Sequence, residues 1–136
     1  MKAWILMLLA LSLPALVQAE EKKEEDAAPK AAYVSLTPPF VGNYALDGGP
    51  KVRVYKADIA VRVTGADAAA AVKRNDALIR NQLVALFAQQ TVESMGTAEA
   101  KEKLRQEALK QVQQIMNDEE GKPVVEDLLF NNLIAQ

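Results

Sequence analysis

The stretch Lys51–Thr64, KVRVYKADIAVRVT, decides the fold of this chain. Over its second half, apolar residues occupy every second position, and the charged residues Lys56, Asp58 and Arg62 lie between them. A period of two residues is typical of a β-strand with one buried and one exposed face. The alternation changes phase where Tyr55 meets Lys56, which predicts a β-bulge or a change of partner strand at this point. The sequence therefore predicts one long strand with one face exposed to solvent.

The residues before this strand predict a small sheet. Tyr33–Leu36 is a short extended segment that Pro38-Pro39 should end, because proline cannot donate a hydrogen bond to a strand ladder. Phe40–Leu46 is predicted as a second strand. Asp47–Pro50, DGGP, is a strong turn signal because glycine tolerates positive φ. Two short strands and a turn should therefore lead into the long strand.

The residues after Gly65 change to a helical period. Asp67 is a plausible N-cap, and a first helix should run to Gly96. Its apolar residues recur at helical spacing: Val72, Ile79, Leu83, Leu86 and Phe87.

A second helix and a last strand complete the pattern. Thr97 should cap the helix, whose apolar stripe is Leu104, Ala108, Val112 and Ile115. After a loop at 118–123, Val124–Ile134 is apolar on both faces and is predicted as a central strand. The predicted order is β-β-β-α-α-β. The fold class is α+β, with a small, mostly antiparallel sheet and two packed helices on one face.

The composition excludes most catalytic chemistry. The chain has no His and no Cys, which rules out Ser-His-Asp and Cys-His nucleophiles, Cys/His zinc sites and disulfides. The acidic run Asp118-Glu119-Glu120 lacks the ligand spacing of an EF-hand loop. A net charge of -2 gives no electrostatic reason to expect nucleic-acid binding. We expect no catalytic, cofactor or metal site, and a protein that is not an enzyme.

The N-terminal segment predicts export. Residues 1–19 combine a positive start, an apolar run and small residues before Glu20, as a cleaved signal peptide does; the alternative is an uncleaved, short membrane anchor. Residues 20–32 predict a charged flexible linker. Positive charge before the apolar run places residues 33–136 in the periplasm with either interpretation, tethered to the inner membrane if the leader stays attached.

Several short motifs occur in a characteristic order from residue 33 to residue 136. They are Tyr33, Pro39-Phe40-Val41 and Asn43, the strand Val52–Val63, Arg74-Asn75-Asp76 with Leu78-Ile79, Thr97-Ala98-Glu99-Ala100-Lys101, Leu104 and Glu107, and Leu129–Gln136. This order resembles FliL, the flagellar basal body-associated protein family. Ala100 stands where the family has Gly, and the signal-like leader replaces its usual cytoplasmic tail and transmembrane helix.

The resemblance implies a domain like that of stomatin (SPFH-like) and a non-enzymatic role. FliL proteins surround the periplasmic part of the flagellar stator, support swimming and swarming, and assemble into rings or arcs. Arg74 and Asp76 are candidates for contacting a stator protein or a neighbouring subunit, or they form a local ion pair. Ala85 and Ala88 allow close packing between subunits, or within the fold. The alternative function is a soluble periplasmic adaptor acting on other envelope proteins.

Overall fold

A computed structural model describes residues 28–47 and 49–136 of the chain. Within these residues, three strands and three helices follow one another in the order β-β-α-α-α-β. They are β1 (Ala31–Tyr44), β2 (Arg53–Thr64), α1 (Ala66–Arg74), α2 (Asp76–Ala88), α3 (Ala98–Glu120) and β3 (Asp127–Ala135). The predicted leader and residues 20–27 of the predicted linker lie outside the described residues. Ala31 and Ala32, the end of that linker, lie in β1.

The sheet is antiparallel, and β2 lies between β1 and β3. The buried face of β2 has the predicted period of two, because Tyr55, Ala57, Ile59, Val61 and Val63 all point toward the helices. The α+β class, with an antiparallel sheet packed against helices, is confirmed.

The prediction of two strands before the turn is wrong, because β1 is one strand that passes through its prolines. Leu36 pairs with Ile59 and Phe40 pairs with Ala57, so residues 37–39 oppose a single residue of β2. The bulge accommodates Pro38 and Pro39, which have no N–H to donate to the ladder.

The predicted central position of the last strand is also wrong, because β3 is an edge strand. Its register shifts opposite Asp58 and Ile59, which pair with Asn132 and Phe130. The shift reverses which side chains face inward. The apolar residues on both parities therefore reflect this bulge and not burial of both faces. The predicted bulge or change of partner at Tyr55 is wrong, because Val54 is exposed and the buried side of β2 continues without interruption from Tyr55 to Val63.

The first predicted helix is two helices, α1 and α2, separated at Asn75. There the backbone leaves the helical path (φ -102°, ψ 12°), and the Asn75 side-chain amide donates to Ala71 O at 2.9 Å. Asp67 is not the N-cap: α1 follows Gly65, whose φ of 93° suits glycine. The chain leaves α2 at Ala88, eight residues before the predicted stop at Gly96.

The predicted cap of the last helix is confirmed. Thr97 Oγ1 accepts a hydrogen bond from Ala100 N at 3.1 Å. The buried stripe of α3 ends on Met116, while Ile115 is half-buried. The helix extends into the predicted loop as far as Glu120, where Gly121 ends it with a left-handed φ of 78°.

The core lies between the sheet and the helices and is centred on Phe87 of α2, which is fully buried. Its ring centroid lies 6.1 Å from that of Phe40, 5.0 Å from that of Tyr55 and 6.1 Å from that of Phe130. These three partners come from β1, β2 and β3. A single side chain of α2 therefore joins the helical layer to every strand.

Candidate interaction surface

The side of α2 that points away from the core carries no charge and is apolar except for one asparagine. We call it the α2 outer face; it consists of Ala77, Leu78, Asn81, Val84, Ala85 and Ala88. Leu78 and Val84 are 46% and 45% exposed, although both are large apolar residues. Exposed apolar residues that form a group, and are not scattered singly, mark surfaces that contact other molecules.

The charged residue Arg80 is directed away from the α2 outer face. Its guanidinium carbon lies 4.3 Å from the centroid of the Phe40 ring, and its Nη2 donates to Pro38 O at 2.8 Å. The cation is thereby tied to β1, which leaves the outer face without charge. The exposed surface of α3 is the opposite, since it carries Glu99, Lys103, Glu107, Lys110, Asp118 and Glu119. Such a surface is typical of a solvated helix.

Arg74 and Asn75 form a hydrogen-bonded group with Glu120 that ties the α1–α2 junction to the end of α3. Arg74 Nη2 lies 2.9 and 3.0 Å from the two carboxylate oxygens of Glu120, and Arg74 Nε lies 3.1 Å from Oε1. Asn75 Nδ2 donates to the same Oε1 at 2.8 Å and is itself buried. The partner of Arg74 is thus a residue of α3 and not its neighbour Asp76.

This environment stabilises the charged form of Glu120. Hydrogen bonds from Asn75 first, and from Arg74 second, hold the pKa of the Glu120 carboxyl below its ordinary value of 4.5. A carboxyl whose folded-state pKa is lowered contributes stability above its unfolded-state pKa, and that contribution disappears as the pH falls through the folded-state pKa.

We therefore expect the advantage of the wild type over Glu120→Gln in free energy of unfolding to be complete at pH 7 and to shrink below about pH 5. Urea unfolding of both proteins from pH 7 to pH 3 measures this difference. Glu119→Gln is the matched control, because the Glu119 side chain makes no hydrogen bond within residues 28–47 and 49–136. A difference for Glu120→Gln that does not change with pH would contradict the assignment.

The structure does not bring the four predicted contact residues into one site. Asp76 is the first residue of α2 and is half-buried, whereas Ala85 is exposed nine residues later, about 14 Å along the helix axis. Ala88 is half-buried on the same outer face. Sequence reasoning missed Leu78 and Val84. The available signal was the helical period, which places both residues outside the buried stripe that begins at Ile79.

No helix of residues 28–47 and 49–136 has the length and apolar character to cross a membrane. No group of three or more carboxylates in the same residues is arranged to hold a metal ion.

Comparison with known proteins agrees with the order of the motifs. The family described as flagellar basal body-associated protein FliL matches residues 33–136, which is more than half of the chain. The search of curated proteins found no match. Proteins of the matched family are associated with the membrane and with the flagellar basal body, and they are generally structural and not enzymatic. By this match, which covers every strand and helix from Tyr33 onward, the chain belongs to the FliL family.

Proposed function

We propose that this protein is a non-enzymatic accessory component of the flagellar motor that supports the stator during swimming and swarming. It acts through protein–protein contacts and assembles with copies of itself into a ring or arc. The observation that carries the proposal is the uncharged and mostly apolar α2 outer face, which is accessible on the folded domain. Membership of the FliL family indicates that these contacts occur at the flagellar basal body.

The α2 outer face suits close packing between subunits. The side chains of Ala77, Ala85 and Ala88 are small, so that a neighbouring helix or strand can approach the backbone, while Leu78 and Val84 supply apolar area to bury. Arg74 and Asp76 lie at the junction that precedes this helix and at its first residue, outside the α2 outer face, and are proposed as a separate contact. The Arg74 side chain is 61% exposed even while it pairs with Glu120, so it is accessible to a second acidic group on a stator protein or a neighbouring subunit.

The N-terminal segment supports a periplasmic location for the domain. Residues 1–19 either anchor the chain in the inner membrane or are removed during export, and both routes leave residues 33–136 outside the cytoplasm. An anchored chain concentrates the α2 outer face beside membrane-embedded motor proteins. A released chain would act instead as a soluble periplasmic adaptor for envelope proteins.

We expect Ala85→Arg to weaken self-association of the full chain by about tenfold or more, because packing would bury an unpaired cation. Sedimentation velocity over a range of concentrations measures the association constant. Ala70→Arg is the matched control, since Ala70 is an exposed alanine of α1, outside the α2 outer face. A full chain that stays monomeric at high concentration, both alone and with its stator partner, would contradict the proposal.

The same variants test the role in motility. In a deletion strain on soft agar, the wild type and Ala70→Arg should restore the swimming and swarming zones, and Ala85→Arg should restore them poorly. Normal motility of the deletion strain itself would favour the adaptor function over a role at the motor.

A further inference from the structure

The two edges of the sheet differ in how their outward-pointing backbone groups are satisfied. Along β3 and the segment that leads into it, side chains of α3 donate to three backbone carbonyls. Lys101 Nζ donates to Leu133 O at 3.2 Å, Arg105 Nη1 to Leu128 O at 3.1 Å, and Gln113 Nε2 to Val125 O at 2.8 Å. These bonds cover the edge against pairing with another strand.

The outward groups of β1 can be identified from the ladder. Gly65 N donates to Lys30 O at 3.1 Å, so these two residues form a hydrogen-bonded antiparallel pair. Because such pairs alternate along an antiparallel ladder, the even-numbered residues from Ala32 to Leu36 bond to β2. The backbone N–H and C=O groups of Ala31, Tyr33 and Ser35 therefore point to the open edge. Among the residues that the structure describes, no side chain bonds to the backbone of these three residues.

We propose that this open edge pairs with the same edge of a second copy of the chain, antiparallel and centred on Tyr33. The inference rests on the proposed function, since it takes a second copy as the partner and specifies one contact between subunits. It would join two three-stranded sheets into one continuous six-stranded sheet across a two-fold axis.

The positions of the outward groups make the edge complementary to itself. With Tyr33 opposite Tyr33 of the second copy, Ala31 lies opposite Ser35 and Ser35 opposite Ala31. Every outward N–H and C=O then has a partner. The two Tyr33 side chains, each 60% exposed on the outer face of the sheet, become cross-strand neighbours.

The surroundings of the edge limit the pairing to these residues and favour an identical partner. Residues 31–36 carry no charge, so two copies meet without repulsion between like charges. Pro38 and Pro39 end the open segment on one side, and Pro38 O already accepts from Arg80. The groove beside the edge contains one positively charged residue, Lys73, and one negatively charged residue, Asp76. The grooves of two copies related by a two-fold axis therefore do not repel each other as surfaces of like charge would.

Single cysteines test the register, because the chain contains no other cysteine. The two Cα atoms of a hydrogen-bonded antiparallel pair lie about 5.5 Å apart, within the range of a disulfide. With mild oxidation of cells producing the full chain, Tyr33→Cys should give a disulfide-linked dimer on a non-reducing gel. Ser35→Cys should give none, since the two residues 35 would lie about 14 Å apart along the strands. A monomeric Tyr33→Cys, or equal crosslinking of both variants, would overturn the proposal.

A proline tests the backbone contact itself. Ser35→Pro removes an outward N–H and leaves the β1–β2 ladder intact, whereas the control Ser35→Ala keeps that N–H. Combined with Tyr33→Cys, the proline should reduce the disulfide-linked dimer at least tenfold, and the alanine should not. An unchanged dimer in the folded proline variant, checked by circular dichroism, would overturn the proposal. Motility of the deletion strain tests the proposed function separately, because crosslinking at residue 33 does not depend on it.

Discussion

Replacing Phe87 with alanine is expected to lower the free energy of unfolding by about 3–5 kcal/mol, which for a domain of this size is a large part of the total. The ring is fully buried and contacts the aromatic rings of Phe40, Tyr55 and Phe130. These partners stand on three different strands, so the surrounding backbone cannot close the cavity by moving one element. The loss should therefore lie at the upper end of the range for aromatic truncations.

Urea unfolding of the full chain, followed by far-ultraviolet circular dichroism, measures the effect. Phe87→Leu is the control, because it keeps an apolar side chain of nearly the same volume and should cost about 1–2 kcal/mol. An equal loss for both variants would show that the contacts between aromatic rings, and not the filled volume, account for the effect. A loss below about 1 kcal/mol for Phe87→Ala would contradict the assignment of Phe87 as the centre of the core.

The spacing of Phe87 and the alternation in β2 were predictable from sequence because each depends on one periodic element. The α-helical period places Leu83 and Phe87 on one side of α2, and the strand period places Ile59 and Val61 on one side of β2. Thr97 was predictable for a similar reason, since an N-cap is a local hydrogen bond between neighbouring residues.

The interruptions of these periods could not be predicted. Whether Pro38 and Pro39 end a strand or occupy a bulge depends on the register with β2, which the sequence of β1 does not contain. In β3, a bulge reverses the inward side between Phe130 and Leu133, and a central strand would show the same apolar pattern. At Asn75 the backbone leaves the helical path although its N–H still donates to Ala71 O, and the side-chain amide adds a second bond to the same oxygen.

The candidate surface was only partly predictable. Ala85 and Ala88 stand out in sequence as small residues, but the absence of charge around them depends on Arg80 turning toward Phe40. The pairing of Arg74 with Glu120 joins residues 46 positions apart. Only the packing of α1 and α2 against α3 brings these two residues together.

The position of α3 explains why one side of the domain is available for contacts. Through Lys101 and Arg105, α3 covers the β3 edge of the sheet, and through Glu120 it holds the α1–α2 junction. β1 and α2 pack against each other, and α3 packs against α2 but leaves the α2 outer face exposed. The proposed two-fold contact and the proposed α2 contact therefore use separate surfaces of one domain, so that a pair joined through the β1 edge keeps two α2 outer faces free for further contacts.

The hydrogen bonds of Asn75 make the α1–α2 junction sensitive to a change of one atom. We expect Asn75→Asp to lower the free energy of unfolding at pH 7 by about 3 kcal/mol. The substitution replaces the donor that lies 2.8 Å from Glu120 Oε1 with an anionic oxygen, and it also removes the donor to Ala71 O. Arg74 can neutralise only part of the added charge, because its guanidinium already pairs with both oxygens of Glu120.

The pH dependence distinguishes this charge repulsion from a simple loss of hydrogen bonds. Two adjacent carboxylates raise the folded-state pKa of the pair, so the folded protein binds more protons than the unfolded chain, and the destabilisation should decrease as the pH falls through that raised pKa. Asn75→Ala, the control, loses the same donor without adding a charge and should cost about 1–2 kcal/mol at pH 7. Urea unfolding of the three proteins at pH 7 and pH 4 measures both differences. Because the excess loss of Asn75→Asp over Asn75→Ala is electrostatic, it should shrink at pH 4. An excess that is unchanged there would show that repulsion between the introduced carboxylate and Glu120 is not its cause.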